Sequence, residues 1–237
     1  MGTAQQEPLF EWIDGSARFR GLPVEQRTVD IAEQTFEIAG LKDAADLLDQ
    51  PDFAKRFVEE DRAPYGVELW PAAAMLAEYI LHGEEGEGRS AIELGCGLGL
   101  VSMAAAKGGW RVIATDCDPI SLRFAEYNAS LNRADIAAFE LLDWHHPPAG
   151  RRFERVFAAD VLYQLVDHAP IAQCVDQLLA GDGVALLADP NRGVADRFVS
   201  TAEDYALDVN VIPAAATNLT GRNVDGRIFL VRHRGAE

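Results

Sequence analysis

Three glycines alternate within the stretch AIELGCGLGL, Ala91 to Leu100, and an acidic residue, Glu93, stands two places before the first of them. Apolar residues flank the glycines on both sides. A run of this kind is typical of a buried strand that passes into a tight turn beneath a bound nucleotide. The alternative is a strand-to-helix turn in which glycine serves only close packing. The spacing of the glycines and the types of the neighbouring side chains distinguish a nucleotide-binding turn from a turn that serves only packing.

The spacing of Gly95, Gly97 and Gly99 separates three kinds of nucleotide site. A dinucleotide fingerprint needs its third glycine three places after the second, where this chain has Leu100. A triphosphate loop ends in Gly-Lys-Ser or Gly-Lys-Thr, and this run has no such ending. The carboxylate of Glu93 would repel a pyrophosphate but attract an ammonium group. The pattern therefore favours S-adenosylmethionine, which carries an ammonium group and no phosphate.

Two further acids stand where the next predicted strands end. Asp116 closes the segment VIATD, where its carboxylate can accept hydrogen bonds from both ribose hydroxyls. Its alternative role, as a helix cap, suits Asp118 better. Asp143 and Trp144 can pair with the adenine amino group and cover the ring, although such a tryptophan alone is more often a core residue. Three acids at the ends of three successive strands favour a ligand site over packing.

The periodicity of apolar residues predicts an alternation of strands and helices from Ala91 onward. Strands are predicted at 91–94, 111–115, 136–142, 155–159, 184–188, 208–212 and 227–232, and helices at 69–82, 98–107, 120–132, 169–179 and 196–206. This order implies a doubly wound α/β fold, with a mostly parallel sheet covered by helices on both faces. The last two strands have no helix between them and are expected to form an antiparallel edge.

The first 63 residues are predicted to be a small extension ahead of a main domain at residues 64–237. Alternating apolar positions in 26–40 predict a hairpin, and the segments 43–49 and 53–60 predict short helices. Residues 1–20 carry only a weak pattern. This extension offers little that points to a particular substrate.

Composition and charge limit the kinds of partner. The chain has 237 residues and a formal net charge of −17, so we expect a globular protein that does not bind nucleic acid through a basic surface. No apolar run is long enough to span a bilayer, so no membrane partner is expected. The start of the chain shows no secretory signal, and its three widely spaced cysteines favour the reducing cytoplasm over a disulfide framework or a zinc site.

Two further motifs complete the pattern. AADVLYQ holds Asp160 and Tyr163, and GVELWPAAAMLAEYIL holds Trp70 just ahead of a predicted helix. Together with ELGCGLGLVSMAAA, they resemble the class I methyltransferases, whose Rossmann-like core is a mostly parallel sheet of seven strands. The likeness begins at about Pro64 and is strongest to the protein-lysine methyltransferases marked by an Asp-x-x-Tyr motif. Ser102 stands where that family often has glycine, a difference expected to be minor.

The resemblance implies a role for each matched residue. Glu93 is expected near the amino group of S-adenosylmethionine, and Asp160 and Tyr163 are expected to face the methyl acceptor. The other residues expected to bind the cofactor are Trp70, Gly95, Cys96, Gly97, Gly99, Asp116, Asp143, Trp144 and Ala159. S-adenosylhomocysteine is the expected product, and the reaction needs no metal. His145 and His146 are expected in a solvated loop.

The acceptor stays open between three interpretations. The leading one is a protein-lysine side chain; the alternatives are a small-molecule acceptor and a cofactor-binding module that acts through a protein partner without turnover. A carboxylate such as Asp160 stabilises the ammonium form of an amine, so it is expected to orient the acceptor rather than to deprotonate it. The segment ADPNR, 188–192, resembles the branch that methylates electron-transfer flavoprotein, and a plain loop is the alternative there.

Overall fold

The strands within the described residues form two sheets, a small N-terminal one and a larger one that carries the predicted site. The computed structural model describes residues 10–13, 16–50, 65–83, 85–217 and 221–235. The short helix predicted at 53–60 and the proposed domain boundary between residues 63 and 64 lie outside these ranges.

The N-terminal sheet contains four strands in chain order, with antiparallel neighbours. They are β1 (Phe10–Ile13), β2 (Ser16–Phe19), β3 (Leu22–Ile31) and β4 (Gln34–Leu41). β3 and β4 form the hairpin predicted for 26–40. The weak pattern of the first 20 residues hid β1 and β2, which are too short to show a clear alternation. A 3₁₀ helix at Ala44–Asp49 occupies the segment for which a short helix was predicted.

The larger sheet has seven strands in the order β10-β11-β9-β8-β5-β6-β7. They are β5 (Ser90–Leu94), β6 (Arg111–Asp116), β7 (Ala138–Leu141), β8 (Phe153–Ala159), β9 (Leu179–Asp189), β10 (Leu207–Thr217) and β11 (Asn223–His233). β5 to β9 are parallel, whereas β11 runs antiparallel to β9 and β10. The predicted doubly wound fold with an antiparallel edge is therefore confirmed.

Five α-helices accompany this sheet within the described ranges. They are α1 (Pro71–His82), α2 (Leu100–Lys107), α3 (Pro119–Leu131), α4 (Leu165–Leu178) and α5 (Arg197–Glu203). Buried side chains of α4 and α5 share one core cluster, and those of α1 and α2 share another. None of the described helices is long and apolar enough to cross a membrane.

Helix α4 begins four residues before the predicted start at Ala169. Pro170 would be the second residue of the predicted helix, where proline is tolerated because the first N–H groups of a helix have no partner within it. In the structure Pro170 lies within the helix. The carbonyl one turn earlier belongs to Val166, which is 72% exposed, so water can satisfy it.

Asn128 of α3 joins the N-terminal sheet to the larger one. Its side chain is fully buried; the Oδ1 atom accepts a hydrogen bond from the Ala39 N–H at 2.8 Å, and the Nδ2 atom donates to the Ala39 carbonyl at 3.0 Å. The same Nδ2 group donates to the Leu98 carbonyl at 3.0 Å, inside the glycine run. One amide therefore holds β4 against the turn that follows β5.

Candidate functional site

The carboxyl ends of β5, β6 and β8 meet at a cleft of about 450 Å³. β5 lies between β6 and β8, so the chain leaves β5 for one side of the sheet and later returns to the other. Ligands of open α/β sheets bind at such a switch point. The predicted residues that line the cleft are Trp70, Glu93, Gly95, Cys96, Gly97, Asp116, Trp144, Ala159, Asp160 and Tyr163. Gly99 and Asp143 are not among the lining residues.

The glycine turn is held by its own backbone and by Asp116. The Gly97 N–H donates to Asp116 Oδ2 at 2.9 Å, and its φ of 52° is in the left-handed region. A Cβ atom at Gly97 would lie 3.0 Å from the Gly66 carbonyl oxygen, so only glycine allows this approach. Gly99 instead caps α2 with a φ of 83° and packs against Ala125, which is a structural role.

Glu93 lies at the end of β5 with only 1% of its surface exposed. Burial raises the pKa of its carboxyl to about 8. The Ser102 hydroxyl donates a hydrogen bond to Glu93 Oε2, so the presence of serine where glycine was expected is not a minor difference. A group of this kind is mostly neutral at pH 7, and an approaching ammonium ion favours its ionised form.

Asp116 ends β6 beside the glycine turn, and both of its oxygens are engaged. Oδ2 accepts from Gly97 and Oδ1 accepts from the Asp118 N–H at 2.9 Å. Burial raises the pKa of Asp116 to about 6. Asp118 caps α3 by accepting from the Ile120 N–H at 3.0 Å, as predicted. Each carboxylate oxygen has a second lone pair, so Asp116 can still accept from a ribose hydroxyl.

The loop after β7, which carries Asp143 and Trp144, differs from the predicted arrangement. Asp143 turns toward His145, whose N–H donates to Asp143 Oδ1 at 3.0 Å. The Trp144 Nε1 atom lies 3.4 Å from Oδ1 of Asp167, a 7% exposed residue of α4 that also lines the cleft. His145 lines the cleft as well, with 34% of its side chain exposed. Asp167 stands outside every motif, within a helix whose start was misplaced, so the sequence pattern gave no signal for it.

The other end of the cleft brings Asp160, Tyr163 and Trp70 together. Asp160 follows β8 with a φ of 58°, in the left-handed region that aspartate tolerates better than most residues. The Trp70 Nε1–H donates to the Tyr65 carbonyl at 2.8 Å, and the Tyr65 ring meets both Trp70 and Tyr163 edge to face at 5.9 Å. Arg192 reaches Asp160 from the end of β9 at 2.8 Å. This end therefore combines an aromatic wall with an ion pair.

The described residues fit S-adenosylmethionine. The cleft offers a buried acid for an ammonium group at Glu93, a close backbone approach at Gly97 and an aromatic face at Trp144. The buried Ser121 hydroxyl lines the cleft and has no hydrogen-bond partner among the described residues, as expected of a group that awaits a ligand. No group of three or more His, Cys, Asp or Glu side chains gathers as a metal site in the part of the chain described.

A seven-stranded sheet in this order, with a glycine turn and acids at the ends of neighbouring strands, defines a class I methyltransferase. The solved structure of a SAM-dependent methyltransferase from Methanosarcina mazei has the same fold, with a TM-score of 0.54 and 16% identity over 71% of this chain and 99% of that one. The sequence model described as "lysine methyltransferase" matches residues 51–204, more than half of the chain. The chain belongs to this lysine methyltransferase family.

Two curated relatives carry that chemistry in their names. The chain is 33% identical over 119 residues to the protein-lysine methyltransferase METTL21E of Mus musculus, covering 45% of this chain and 48% of the relative. It is 30% identical over 138 residues to the electron transfer flavoprotein beta subunit lysine methyltransferase of Danio rerio, covering 54% of each. The chain thus spans about half the length of these relatives.

Proposed function

We propose that the protein is an S-adenosylmethionine-dependent methyltransferase whose acceptor is a lysine side chain of another protein. The observation that carries the proposal is the position of Asp160 and Tyr163, the two ends of the Asp-x-x-Tyr motif, in the same cleft as the glycine turn. The lysine methyltransferase names of the family and of both relatives support it.

The residues along the cleft have two different proposed roles, cofactor binding and orientation of the acceptor. We propose that Glu93, Gly97, Asp116 and Trp144 bind the cofactor, with Trp70, Gly95, Cys96 and Ala159 lining its path. Gly99 shapes the turn, and Asp143 holds the loop that contains Trp144 through its hydrogen bond with the His145 N–H. The cofactor supplies an electrophilic methyl group: the amine lone pair forms the new N–C bond while the C–S bond breaks and leaves its electron pair on sulfur. Asp160 and Tyr163 aim that lone pair, and the proton of the methylated amine passes to solvent.

The end of the cleft that holds Asp160 and Tyr163, which we call the acceptor end, has an entrance that suits a protein acceptor. Tyr65, Leu165 and Val166 are 48%, 57% and 72% exposed, and Tyr65 and Val166 line the cleft. Exposed apolar side chains around a site favour contact with a polypeptide. The net charge of −17 suits a basic segment around the target lysine and opposes binding to nucleic acid. No disulfide joins the three cysteines, which supports the cytoplasm as the proposed location.

Methyl-labelled S-adenosylmethionine tests the proposal when it is incubated with the protein and a cell extract that lacks it. We expect label in a protein band and, after complete hydrolysis, in N-methyllysine, with none when Asp160→Ala replaces the wild type. Label in small molecules would move the acceptor to a metabolite. Binding of the cofactor without any transfer, in several extracts, would support a binding module and overturn the proposal.

A further inference from the structure

The Asp160 side chain is paired with a cation on both of its oxygens. Arg192 Nε donates to Asp160 Oδ1 at 2.8 Å, and Arg192 Nη2 donates to Oδ2 at 3.1 Å. The Asp160 side chain is 5% exposed and that of Arg192 is 37% exposed. Two parallel N–H to carboxylate bonds fix both the distance and the plane of the pair. The guanidinium also lies 5.8 Å from the centre of the Trp70 ring, so one cation joins the acid to the aromatic wall.

Arg192 is itself held from two sides. Its N–H donates to Asp189 Oδ1 at 2.8 Å, and its carbonyl accepts from Arg227 Nη2 at 2.9 Å. Arg227 of β11 also lies 3.4 Å from Asp189 Oδ1 and 2.5 Å from Asp196 Oδ1. The turn after β9 is therefore clamped by the antiparallel edge of the sheet, and the guanidinium arrives at Asp160 in one orientation.

The ion pair changes what Asp160 does to an amine. An unpaired carboxylate beside a lysine stabilises the ammonium form, which has no lone pair to attack a methyl group. A carboxylate whose charge is balanced by a guanidinium loses most of that preference but keeps lone pairs that accept an N–H hydrogen bond. Arg192 thus lets Asp160 orient an amine without trapping it as a cation.

We propose that Arg192 is a positioning residue that fixes and neutralises Asp160, so that the acceptor end admits the acceptor as a neutral amine. This inference rests on the proposed function. Arg192 is not one of the predicted site residues, although it is the last residue of the ADPNR segment.

The other charged groups around the pair set the sign of the expected effect. Asp189 faces Arg192, and burial raises the pKa of that carboxyl. Arg227 forms ion pairs with Asp189 and Asp196. The hydrogen bond with Asp160 is the main cause that raises the pKa of Arg192, and Asp189 raises it further. Removal of the Arg192 charge would therefore leave an excess of carboxylate beside the acceptor, which favours the ammonium form.

The pH profile of methyl transfer tests the inference. Because an uncompensated neighbouring carboxylate raises an amine pKa by about 1 unit or more, Arg192→Met should move the midpoint of the rate–pH profile upward by about 1 unit. The rate at neutral pH should then fall about tenfold, with a lower KM for the protein substrate. Arg192→Gln, which keeps donors but no charge, should behave in the same way, and Arg192→Lys should keep the wild-type midpoint with a lower kcat.

Two further variants, a double variant and a control, complete the test. Asp160→Asn combined with Arg192→Met should bring the midpoint back toward the wild type because the unbalanced charge is gone. Arg234→Met, which breaks the exposed Arg234–Asp208 pair, serves as the control and should change nothing. If Arg192→Met or Arg192→Gln is folded and its midpoint does not shift, the inference about Arg192 is wrong. The proposed function is then unaffected, provided that the wild type methylates lysine. A wild type that methylates no lysine overturns the proposed function, and this inference with it.

Discussion

The two ends of the cleft are built in different ways. At the cofactor end, Glu93, Gly97 and Asp116 come from one continuous β5–α2–β6 unit. Hydrogen bonds within that unit hold the glycine turn, and Asn128 of α3 adds one more at the Leu98 carbonyl. At the acceptor end, Asp160 and Arg192 come from the ends of β8 and β9 and meet only as an ion pair. The first end is shaped largely within one strand–turn–helix–strand unit, whereas the second depends on a side-chain pair formed across the ends of the neighbouring strands β8 and β9.

This difference predicts that the two ends can be damaged separately. Substitutions at the cofactor end should weaken binding and leave the chemistry intact once the cofactor is bound. Substitutions at the acceptor end should spare binding and slow the transfer. If every substitution reduced cofactor binding and the transfer rate together, the two ends would not be structurally independent.

Asp160→Ala should give the largest effect. Loss of the oriented contact to the acceptor should reduce methyl transfer by about a hundredfold or more, while the affinity for S-adenosylhomocysteine changes by about twofold at most. Steady-state transfer and calorimetry measure the two quantities. Asp160→Asn is the matched variant, since asparagine tolerates the left-handed backbone and keeps one acceptor oxygen; its loss should be smaller. Equal losses in both variants would mean that the negative charge itself is required.

Asp116→Ala should give the next largest effect, on cofactor binding. It leaves the Gly97 and Asp118 N–H groups and the ribose hydroxyls without their acceptor, which costs about 1–3 kcal/mol. The dissociation constant should rise about tenfold or more. Asp182→Ala, at an exposed position of β9, is the control and should bind normally. Unchanged affinity in Asp116→Ala would show that this acid only holds the turn.

Asn128→Ala should lower stability more than it lowers activity. The substitution strands the buried Ala39 N–H and two carbonyls, which costs about 1–3 kcal/mol of unfolding free energy. Asn132→Ala, at a part-buried neighbour that bonds Glu37, should cost less. Urea denaturation measures both. A loss in Asn128→Ala no larger than in Asn132→Ala would contradict the role of Asn128 as the main link between the sheets.

Glu93 should give the smallest effect, a pH dependence of cofactor affinity. Its carboxyl, with a pKa of about 8, is mostly protonated at neutral pH, and the cofactor ammonium favours the ionised form. Affinity should therefore rise several-fold between about pH 6.5 and about pH 7.5, where an α-amino group with a pKa of about 7.7–8.0 is still mostly protonated. Glu93→Gln should show no such rise. The same slope in both proteins would mean that another group is responsible.

Cofactor affinity should rise with pH, whereas the stability of the ligand-free protein should fall with pH. A carboxyl whose pKa is raised on folding from 4.5 to about 8 contributes stability that is fully present below 4.5 and is lost as the pH rises to about 8. The wild type should thus lose melting temperature relative to Glu93→Gln across this range. A constant difference between the two melting temperatures would contradict the raised pKa.

The same contrast explains how much the sequence could predict. The seven-stranded sheet and the cofactor end follow from local periodicity and from a single strand–turn–helix unit, so Glu93, Gly97 and Asp116 could be located in the cleft in advance. Arg192 and Asp167 could not, because their roles depend on side-chain contacts with Asp160 and Trp144 that no sequence motif indicates. The position of Asp160 could be predicted from a motif, but its ion pair could not.

The most direct test measures cofactor affinity and single-turnover transfer on the same samples of wild type, Asp116→Ala and Asp160→Ala. We expect saturating S-adenosylmethionine to restore the transfer rate of Asp116→Ala to near the wild-type value. The same treatment should leave Asp160→Ala about a hundredfold slow despite normal binding. Recovery of Asp160→Ala at saturation, or a slow step in Asp116→Ala that saturation does not relieve, would contradict the division of the cleft into a binding end and a transfer end.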